Sequence, residues 1–466
     1  MSRTIVGFVV LAVCTTAAVA ADAFPPPELA AKLKEDPKTD ADKGVKAAIE
    51  NWQAKLDAIK ADKPEVAKAL PFVRRKLLPL YREYNADKKR YRQDHFTPEE
   101  CLKRLESDMT FTLEALSAGK DPYLASSGRW QTRVAWIERT EMMGHYDVIV
   151  PTGYDPAKSW PVIVSFQDDP DMNQTRKAGY FLIRAIQKGY PTGLTYVENK
   201  TRSYLKETAR EYNIDPTRVY ATAFSYGGHT DLVIAWRFPH WFAAIAPVCS
   251  DLRDNTTPFV SYLQNVPTLL LHGTGDSFLN SGKVVHKFME DAKCPVQWQT
   301  YPGGHTADGI FRGDTSILTN FFAKHTMDPY PKTVSHVVEH SRYTRAFWVN
   351  AVLVEPSLAS AAFVVTVKPG NVIEVKTEKV VVESPTAFKT AEDDRFAALE
   401  LYLTDKLVDM AKPVKVVRGD KTLFEGPAAA KVVVNLLENS KAADQGPGDT
   451  LWQDIEQIKA ASVYAK

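Results

Sequence analysis

The feature that most restricts the fold is an alternation of short apolar runs with helical stretches over residues 129–328. The runs are rich in β-branched residues and nearly continuous, which is typical of strands buried on both faces. Strands that alternate with helices predict an α/β fold with a mostly parallel sheet. The predicted strands are 146–150, 161–165, 218–222, 243–247 and 268–271, and the predicted helices are 177–188 and 201–212.

The region before this sheet, residues 21–128, is predicted to be helical. Val45, Ile49 and Trp52 recur at intervals of four and three, which places them on one helix face. Thr97 is followed three residues later by Glu100, a spacing that favours a helix start with reciprocal capping. Residues 129–330 then form the predicted α/β domain.

The region after this sheet, residues 331–466, has a third pattern. Runs 363–367 and 372–375 flank a turn at Gly370, which predicts a hairpin, and a second hairpin is predicted around Gly419. We therefore expect a β-rich C-terminal domain built as a small sandwich.

The N-terminal residues 1–20 have the pattern of a secretory signal peptide. Arg3 precedes an apolar run at 5–14, and Ala18 and Ala20 fit the small-residue rule for cleavage. The run is short for a membrane span. We expect a secreted or periplasmic protein with no stable membrane insertion after cleavage; an uncleaved N-terminal anchor is the alternative.

Charge and cysteine content narrow the class further. The chain carries 58 Lys and Arg residues against 57 Asp and Glu residues. Binding to nucleic acid requires an excess of basic residues, which this balance lacks, so no nucleic-acid partner is predicted. Cys14 lies in the signal segment, which leaves Cys101, Cys249 and Cys294. Three thiols allow one disulfide at most, so at least one stays free.

The sharpest chemical signal is Ser225 in the run Ala223-Phe-Ser-Tyr-Gly227, between a predicted strand and a predicted helix. A serine on such a tight turn is pushed out above the sheet and requires small residues two positions before and after it. Ala223 and Gly227 meet that requirement. The sequence therefore predicts Ser225 as a nucleophile; a serine that only caps the helix is the alternative.

A serine hydroxyl requires a base, and the base in turn requires an orienting acid. Asp276 and His305 each follow a predicted strand, in the chain order that this arrangement demands. We therefore predict Asp276 as the acid and His305 as the base. Asp308 is a rival acid, and His272 is interpreted as a structural histidine within its strand end.

These motifs resemble the α/β-hydrolase superfamily, and within it exported esterases of the polyhydroxybutyrate-depolymerase and feruloyl-esterase type and prolyl-oligopeptidase-like domains. The resemblance lies in residues 146–155, 212–228 and 242–247, and in the pair His272-Gly-Thr-Gly-Asp276 and Pro302-Gly-Gly-His305. It implies an α/β-hydrolase fold with Ser225 as nucleophile, His305 as general base and Asp276 as its orienting acid.

The oxyanion site departs from that family. The backbone N–H of Tyr226 is expected to be one donor because it follows the nucleophile. Family members usually end the strand before the first oxyanion loop with His-Gly, whereas Gln167 and Asp168 stand there in this sequence. The Asp168 N–H is the corresponding second donor, and carboxylates in this loop would oppose an oxyanion unless they point away.

The sequence therefore predicts an exported serine hydrolase that cleaves a small or polymeric carboxylic ester through an acyl-enzyme. Two alternatives stay open: a serine peptidase with the same three residues, and a binding protein that keeps the hydrolase fold without activity. The sequence has no HExxH, paired CxxC, GxGxxG or Walker motif, so neither a cofactor nor a metal site is predicted.

Overall fold

The computed structural model describes residues 24–86, 96–166, 173–185, 194–252, 256–355, 360–393, 395–437 and 449–464. The predicted signal peptide and the predicted oxyanion donor Asp168 lie outside these residues. No helix within the described ranges combines the length and the apolar character needed to cross a membrane.

The described residues before the first strand are helical. Thr97 and Glu100 form the predicted capping box at the start of the long fifth helix, and Val45 and Ile49 on the second helix are buried. The helices are α1 Pro27–Lys32, α2 Asp40–Asp57, α3 Pro64–Arg75, α4 Leu78–Asn85, α5 Pro98–Ser117 and α6 Pro122–Ala125.

A mixed eight-stranded sheet forms the centre of the molecule. Its strands are β1 Trp130–Ile137, β2 Met142–Ile149, β3 Trp160–Ser165, β4 Phe181–Arg184, β5 Ile214–Ala221, β6 Ala244–Ile245, β7 Thr268–Gly273 and β8 Val296–Tyr301. Their order is β1-β2-β4-β3-β5-β6-β7-β8. Strand β2 pairs antiparallel with β1 and β4, and the pairs from β4 through β8 are parallel. This is the strand order of the α/β-hydrolase fold.

Helices follow the parallel strands of this sheet: α7 Asn173–Lys177, α8 Leu194–Glu211, α9 Tyr226–Arg237, α10 Leu279–Asp291 and α11 Ser316–Phe322. The predicted helix at 177–188 is wrong, because α7 ends at Lys177 and β4 occupies Phe181–Arg184. Strand β4 is buried at every position, and a short run without alternation has no period that separates strand from helix.

The residues from 333 to 435 form two further sheets. One has the order β10-β11-β15-β18, and the other has the order β17-β16-β13-β12-β9 with β14 paired to β13. Both predicted hairpins are present as β12–β13 and β16–β17. The strands are β9 Thr333–Val338, β10 Arg345–Ala346, β11 Val349–Leu353, β12 Ala361–Lys368, β13 Val372–Ser384, β14 Ala387–Glu392, β15 Phe396–Leu401, β16 Pro413–Arg418, β17 Lys421–Pro427 and β18 Val432–Asn435.

The last described segment returns to the central sheet. Helix α12, Leu451–Ala460, packs against α8 and β5, with Leu451 and Ile455 buried. Beyond it, the Tyr464 hydroxyl donates to Asp121 Oδ2 at 2.9 Å, which ties the chain end to the N-terminal helices. The final segment therefore covers elements that precede the nucleophile by sequence.

A buried ion network joins the N-terminal helices to the sheet. Lys76 Nζ lies 2.8 Å from Asp108 Oδ2 and 3.0 Å from Glu211 Oε1. Arg133 on β1 pairs with the same two carboxylates. Two bases thus face two acids in the interior, so each buried charge has an opposite partner, as burial requires.

Candidate active site

Ser225 stands at the sharp turn between β5 and α9. Its backbone angles, φ 54° and ψ −119°, lie in a region that a residue with a side chain rarely adopts. This conformation costs about 1–3 kcal/mol of backbone strain. Backbone hydrogen bonds hold the turn: Ser225 N–H donates to the Val248 carbonyl at 2.8 Å, and Gly227 N–H donates to the Phe224 carbonyl at 2.9 Å. The strain is therefore stabilised by the neighbouring chain, and the serine is presented at the strand end.

Gly228 allows this turn to pack against the next strand end. A Cβ at Gly228 would lie 2.7 Å from the Ser250 Cβ and 2.9 Å from the Ala223 carbonyl oxygen. The sequence pattern predicts crowding at Ala223 and Gly227, and the structure adds Gly228, where neighbouring atoms already fill the space of a side chain.

The loops that carry Asp276 and His305 are held against each other by their backbones. Thr274 N–H donates to the Tyr301 carbonyl at 2.9 Å, and Gly275 N–H donates to the Gly303 carbonyl at 2.7 Å. Gly273 permits this approach, because a Cβ there would lie 2.3 Å from the Gly304 carbonyl oxygen. The two loops therefore act as one unit at the carboxyl edge of β7 and β8.

The structure brings the three predicted residues into one hydrogen-bonded chain. Ser225 Oγ lies 2.9 Å from His305 Nε2, and His305 Nδ1 lies 2.9 Å from Asp276 Oδ1. Asp276 is buried, Ser225 is half-buried and His305 is exposed. Asp308, the rival acid, instead pairs with Arg312 at 3.2 Å.

Asp276 accepts hydrogen bonds on both carboxylate oxygens. Phe278 N–H donates to Oδ1 at 3.0 Å, and His272 Nδ1 lies 2.9 Å from Oδ2. Burial alone would raise the pKa of Asp276, but the donors Phe278, Cys249, His272 and His305 together hold the pKa below its ordinary value. The contact between His272 and the acid is not predicted from the sequence; the separation of the two residues by four positions at a strand end is the signal that points to it.

Two phenyl rings flank the imidazole of His305. The ring centroids of Phe224 and Phe278 each lie 4.6 Å from that of His305, at interplanar angles of 40° and 68°. The rings restrict the orientations of the imidazole in addition to its hydrogen bonds. Phe224 precedes the nucleophile and Phe278 follows the acid by two residues, so the nucleophile turn and the acid loop each contribute a ring that positions the base.

Cys249 lies beside this chain of residues. Its Sγ is 3.0 Å from the Tyr301 hydroxyl, and burial raises the pKa of the thiol to about 11. Ligand atoms of Cys249, His272 and Asp276 lie within 4.8 Å of one another, a spacing that a metal could use, although His272 and Asp276 already bond each other. The three cysteines of the described residues, Cys101, Cys249 and Cys294, are all free thiols.

Asp231 is a second buried acid behind the nucleophile turn, on α9. Burial raises its pKa well above the ordinary value, and the neighbouring Ala223 amide offsets this only in part. The pKa of Asp231 is thus raised, in contrast to the lowered pKa of Asp276.

Of the two predicted oxyanion donors, Tyr226 is described and Asp168 is not. Tyr226 is the first residue of α9, so its amide stands at a helix N-terminus, where backbone dipoles favour negative charge. Its ring stacks on that of His229 at 5.5 Å and 11°. The Tyr226 amide thereby lies next to Ser225 in a helix-end field suited to an anion.

No family model matches the sequence, and neither does any curated protein. Among solved structures, dipeptidyl peptidase 4 of Porphyromonas gingivalis is 14% identical over 43% of this chain and 36% of that one, with a TM-score of 0.37. Acylaminoacyl peptidase of Pyrococcus horikoshii is 15% identical over 43% and 42%, with a TM-score of 0.36. A ferulic acid esterase of Anaeromyces mucronatus is 15% identical over 42% and 90%, with a TM-score of 0.34. The chain spans less than half the length of the two peptidases, so the roles of its residues are argued from its own geometry.

Proposed function

We propose that this protein is a serine hydrolase that cleaves a carboxylic ester through an acyl-enzyme intermediate. The observation that carries the proposal is the continuous chain from Ser225 Oγ to His305 to Asp276, with both contacts at 2.9 Å. A hydroxyl, an imidazole and a buried carboxylate in this order are the groups that acyl transfer requires.

In the first half-reaction, Ser225 Oγ attacks the ester carbonyl while His305 Nε2 takes the hydroxyl proton. The imidazolium then gives that proton to the departing alkoxide, and the acyl group stays on Ser225. In the second half-reaction a water molecule loses a proton to His305 and attacks the acyl carbon. The imidazolium then gives that proton to Ser225 Oγ as its bond to the acyl carbon breaks, which releases the acid and restores the serine.

Asp276 fixes the tautomer that this sequence of proton transfers needs. An ionised carboxylate only accepts hydrogen bonds, so His305 must carry its proton on Nδ1 and present a bare Nε2 to the serine. The low pKa of Asp276 keeps the carboxylate charged, and its charge stabilises the imidazolium that forms in each step.

The developing oxyanion is proposed to accept a hydrogen bond from the Tyr226 N–H at the start of α9. The Asp168 N–H is proposed as the second donor. We propose an ester as the substrate because an alkoxide leaves more readily than an amine, so ester cleavage demands only the groups described above.

The test compares the full chain with two serine variants, Ser225→Ala and Ser281→Ala. Ser281 is the matched control, because its hydroxyl bonds, within the described part of the chain, only to the Phe278 carbonyl near its own helix end, at 3.1 Å. Hydrolysis of a short p-nitrophenyl ester should fall at least about 10³-fold in Ser225→Ala and remain unchanged in Ser281→Ala. A fluorophosphonate probe should label the wild type and Ser281→Ala but not Ser225→Ala.

Equal ester turnover in both variants would remove Ser225 from the mechanism. A protein that neither turns over esters nor takes the fluorophosphonate label would instead favour a binding protein with a hydrolase fold. Cleavage of peptide amides at rates equal to those of matched esters would replace the ester proposal with a peptidase.

A further inference from the structure

The second oxygen of the acid has a partner of its own. Asp276 Oδ1 faces His305, and Oδ2 lies 2.9 Å from Nδ1 of His272, at the end of β7. The side chains of both His272 and Asp276 are fully buried. The carboxylate is therefore held between two imidazoles, one of which lies outside the chain of proton transfers.

The protonation of His272 follows from its surroundings. Burial lowers the pKa of His272, so the ring is neutral, and an ionised Asp276 only accepts; Nδ1 must therefore carry the proton and donate it to Oδ2. His272 Nε2 is buried with no hydrogen-bond partner among the described residues. Among the described residues, the side-chain hydrogen-bond partner of the His272 ring is therefore the acid, bound at Nδ1.

Packing fixes the His272 ring in the orientation that makes this hydrogen bond. The ring stacks on Trp298 of β8 at 4.9 Å and 17°. On its other edge, a Cβ at Gly282 of α10 would lie 2.3 Å from His272 Nε2, so the glycine leaves just enough room for the ring. The imidazole is held by neighbouring elements, and its Nδ1 position is determined before any substrate binds.

We propose that His272 is a positioning residue for the hydrolase reaction: its Nδ1–H fixes Oδ2 of Asp276, so that Oδ1 stays directed at His305. This inference rests on the proposed function. Without the His272 donor, the carboxylate keeps the Phe278 N–H on Oδ1 but loses the imidazole on Oδ2, so it tilts more freely about its Cβ–Cγ bond and the alignment of His305 with Ser225 loosens. A misplacement of about 1 Å in such a chain costs about 10²-fold in rate.

The decisive comparison is His272→Asn against His272→Leu in the full chain. The two side chains have nearly the same shape, and both lose the stacking on Trp298. Only Asn retains an N–H donor at the position of Nδ1. Any effect of the lost ring is shared by the pair, so the difference between the two variants isolates the hydrogen bond to Asp276.

For a short p-nitrophenyl ester, kcat of His272→Leu should fall about 10²-fold below the wild type, with KM changed by about twofold or less. His272→Asn should recover about tenfold or more of that loss. Gly282→Ala, which displaces the ring without altering either hydrogen-bonding group, should lower kcat in the same direction as His272→Leu. Equal kcat values for the Asn and Leu variants would overturn the proposal and leave His272 a packing residue.

A spectroscopic readout separates this inference from the proposed function. The Nδ1–H proton of His305, observed by NMR in protein with ¹⁵N-labelled histidine, reports its hydrogen bond to Asp276 without any substrate. It should shift or exchange faster in His272→Leu and stay near its wild-type position in His272→Asn. An unchanged signal in His272→Leu refutes the positioning role, whereas an absence of fluorophosphonate labelling in the wild type refutes the hydrolase function itself.

Discussion

Replacement of Asp449 by Ala should destabilise the whole molecule. Asp449 precedes α12 and is buried. Its Oδ1 accepts from the Trp241 indole N–H at 2.8 Å, and its Oδ2 pairs with the Arg202 guanidinium on α8. One carboxylate near the chain end therefore connects the final helix to two elements on either side of the nucleophile.

The magnitude follows from what Ala leaves behind. The Arg202 side chain is 11% exposed, so its charge would lose its most buried partner, and Trp241 would keep a buried N–H without an acceptor. Removal of one member of a buried ion pair costs about 3–5 kcal/mol. Arg202 keeps its contact with Asp454, whose side chain is 26% exposed, so we expect a loss of about 3 kcal/mol.

Urea unfolding of the full chain, followed by tryptophan fluorescence and circular dichroism, measures this loss. With an m value of about 3 kcal/mol/M, the midpoint should fall by about 1 M. Asp454→Ala is the matched control, because it removes the more exposed acid from the same Arg202, and it should cost about 1 kcal/mol or less. Equal midpoints for the two variants would refute the reasoning that burial of the partner sets the size of the effect.

The effect of Asp449→Ala should also depend on pH. Burial alone would raise the pKa of Asp449, but His240, Arg202 and Trp241 hold it well below the ordinary carboxyl value. A depressed pKa in the folded state stabilises the protein above the unfolded-state pKa, and this contribution is lost as pH falls. The difference between wild type and Asp449→Ala should therefore be full at neutral pH and shrink in strong acid.

Three further predictions concern the nucleophile turn, acid stability and the chain end. Gly228→Ala should abolish ester hydrolysis and fluorophosphonate labelling, because the new Cβ would lie 2.7 Å from the Ser250 Cβ and displace the nucleophile turn. The circular dichroism spectrum should remain that of the folded protein, and normal labelling would contradict the crowding argument. Burial lowers the pKa of His336 to about 4. The free energy of unfolding should therefore fall by about 3 kcal/mol as the pH drops from about 6.5 to about 4. Urea unfolding of His336→Gln should show no such dependence of the unfolding free energy on pH over this range. A chain truncated after residue 448 lacks Asp449 and the buried Leu451 and Ile455 of α12, and it should be less stable than the full chain by about 3–6 kcal/mol or more; equal stability by urea unfolding would show that this final segment adds nothing to the stability of the central sheet.

Local patterns in the sequence determined the elements that present the site. The capping box at Thr97 and the hairpin turn at Gly370 depend on residues a few positions apart, and both are present. The strand–turn–helix around Ser225 is equally local, because small neighbours and a following helix are all that the strained turn demands. The chain order of Ser225, Asp276 and His305 then left few choices for the acid and base.

The tertiary structure alone decided which of these elements meet. Strand β4 was misread as helix because a run buried on both faces has no period, and only its place between β2 and β3 makes it a strand. The return of α12 to α8 joins Asp449 to Arg202 across 247 positions, and no local pattern reports a partner at that distance. The role of His272 is hidden in the sequence for the same reason. The spacing of His272 from Asp276 permits many environments, and only the packing of β8 and α10 around the ring directs its Nδ1 at Asp276. Sequence periodicity records which faces are buried, whereas the identity of the partner depends on the path of the whole chain.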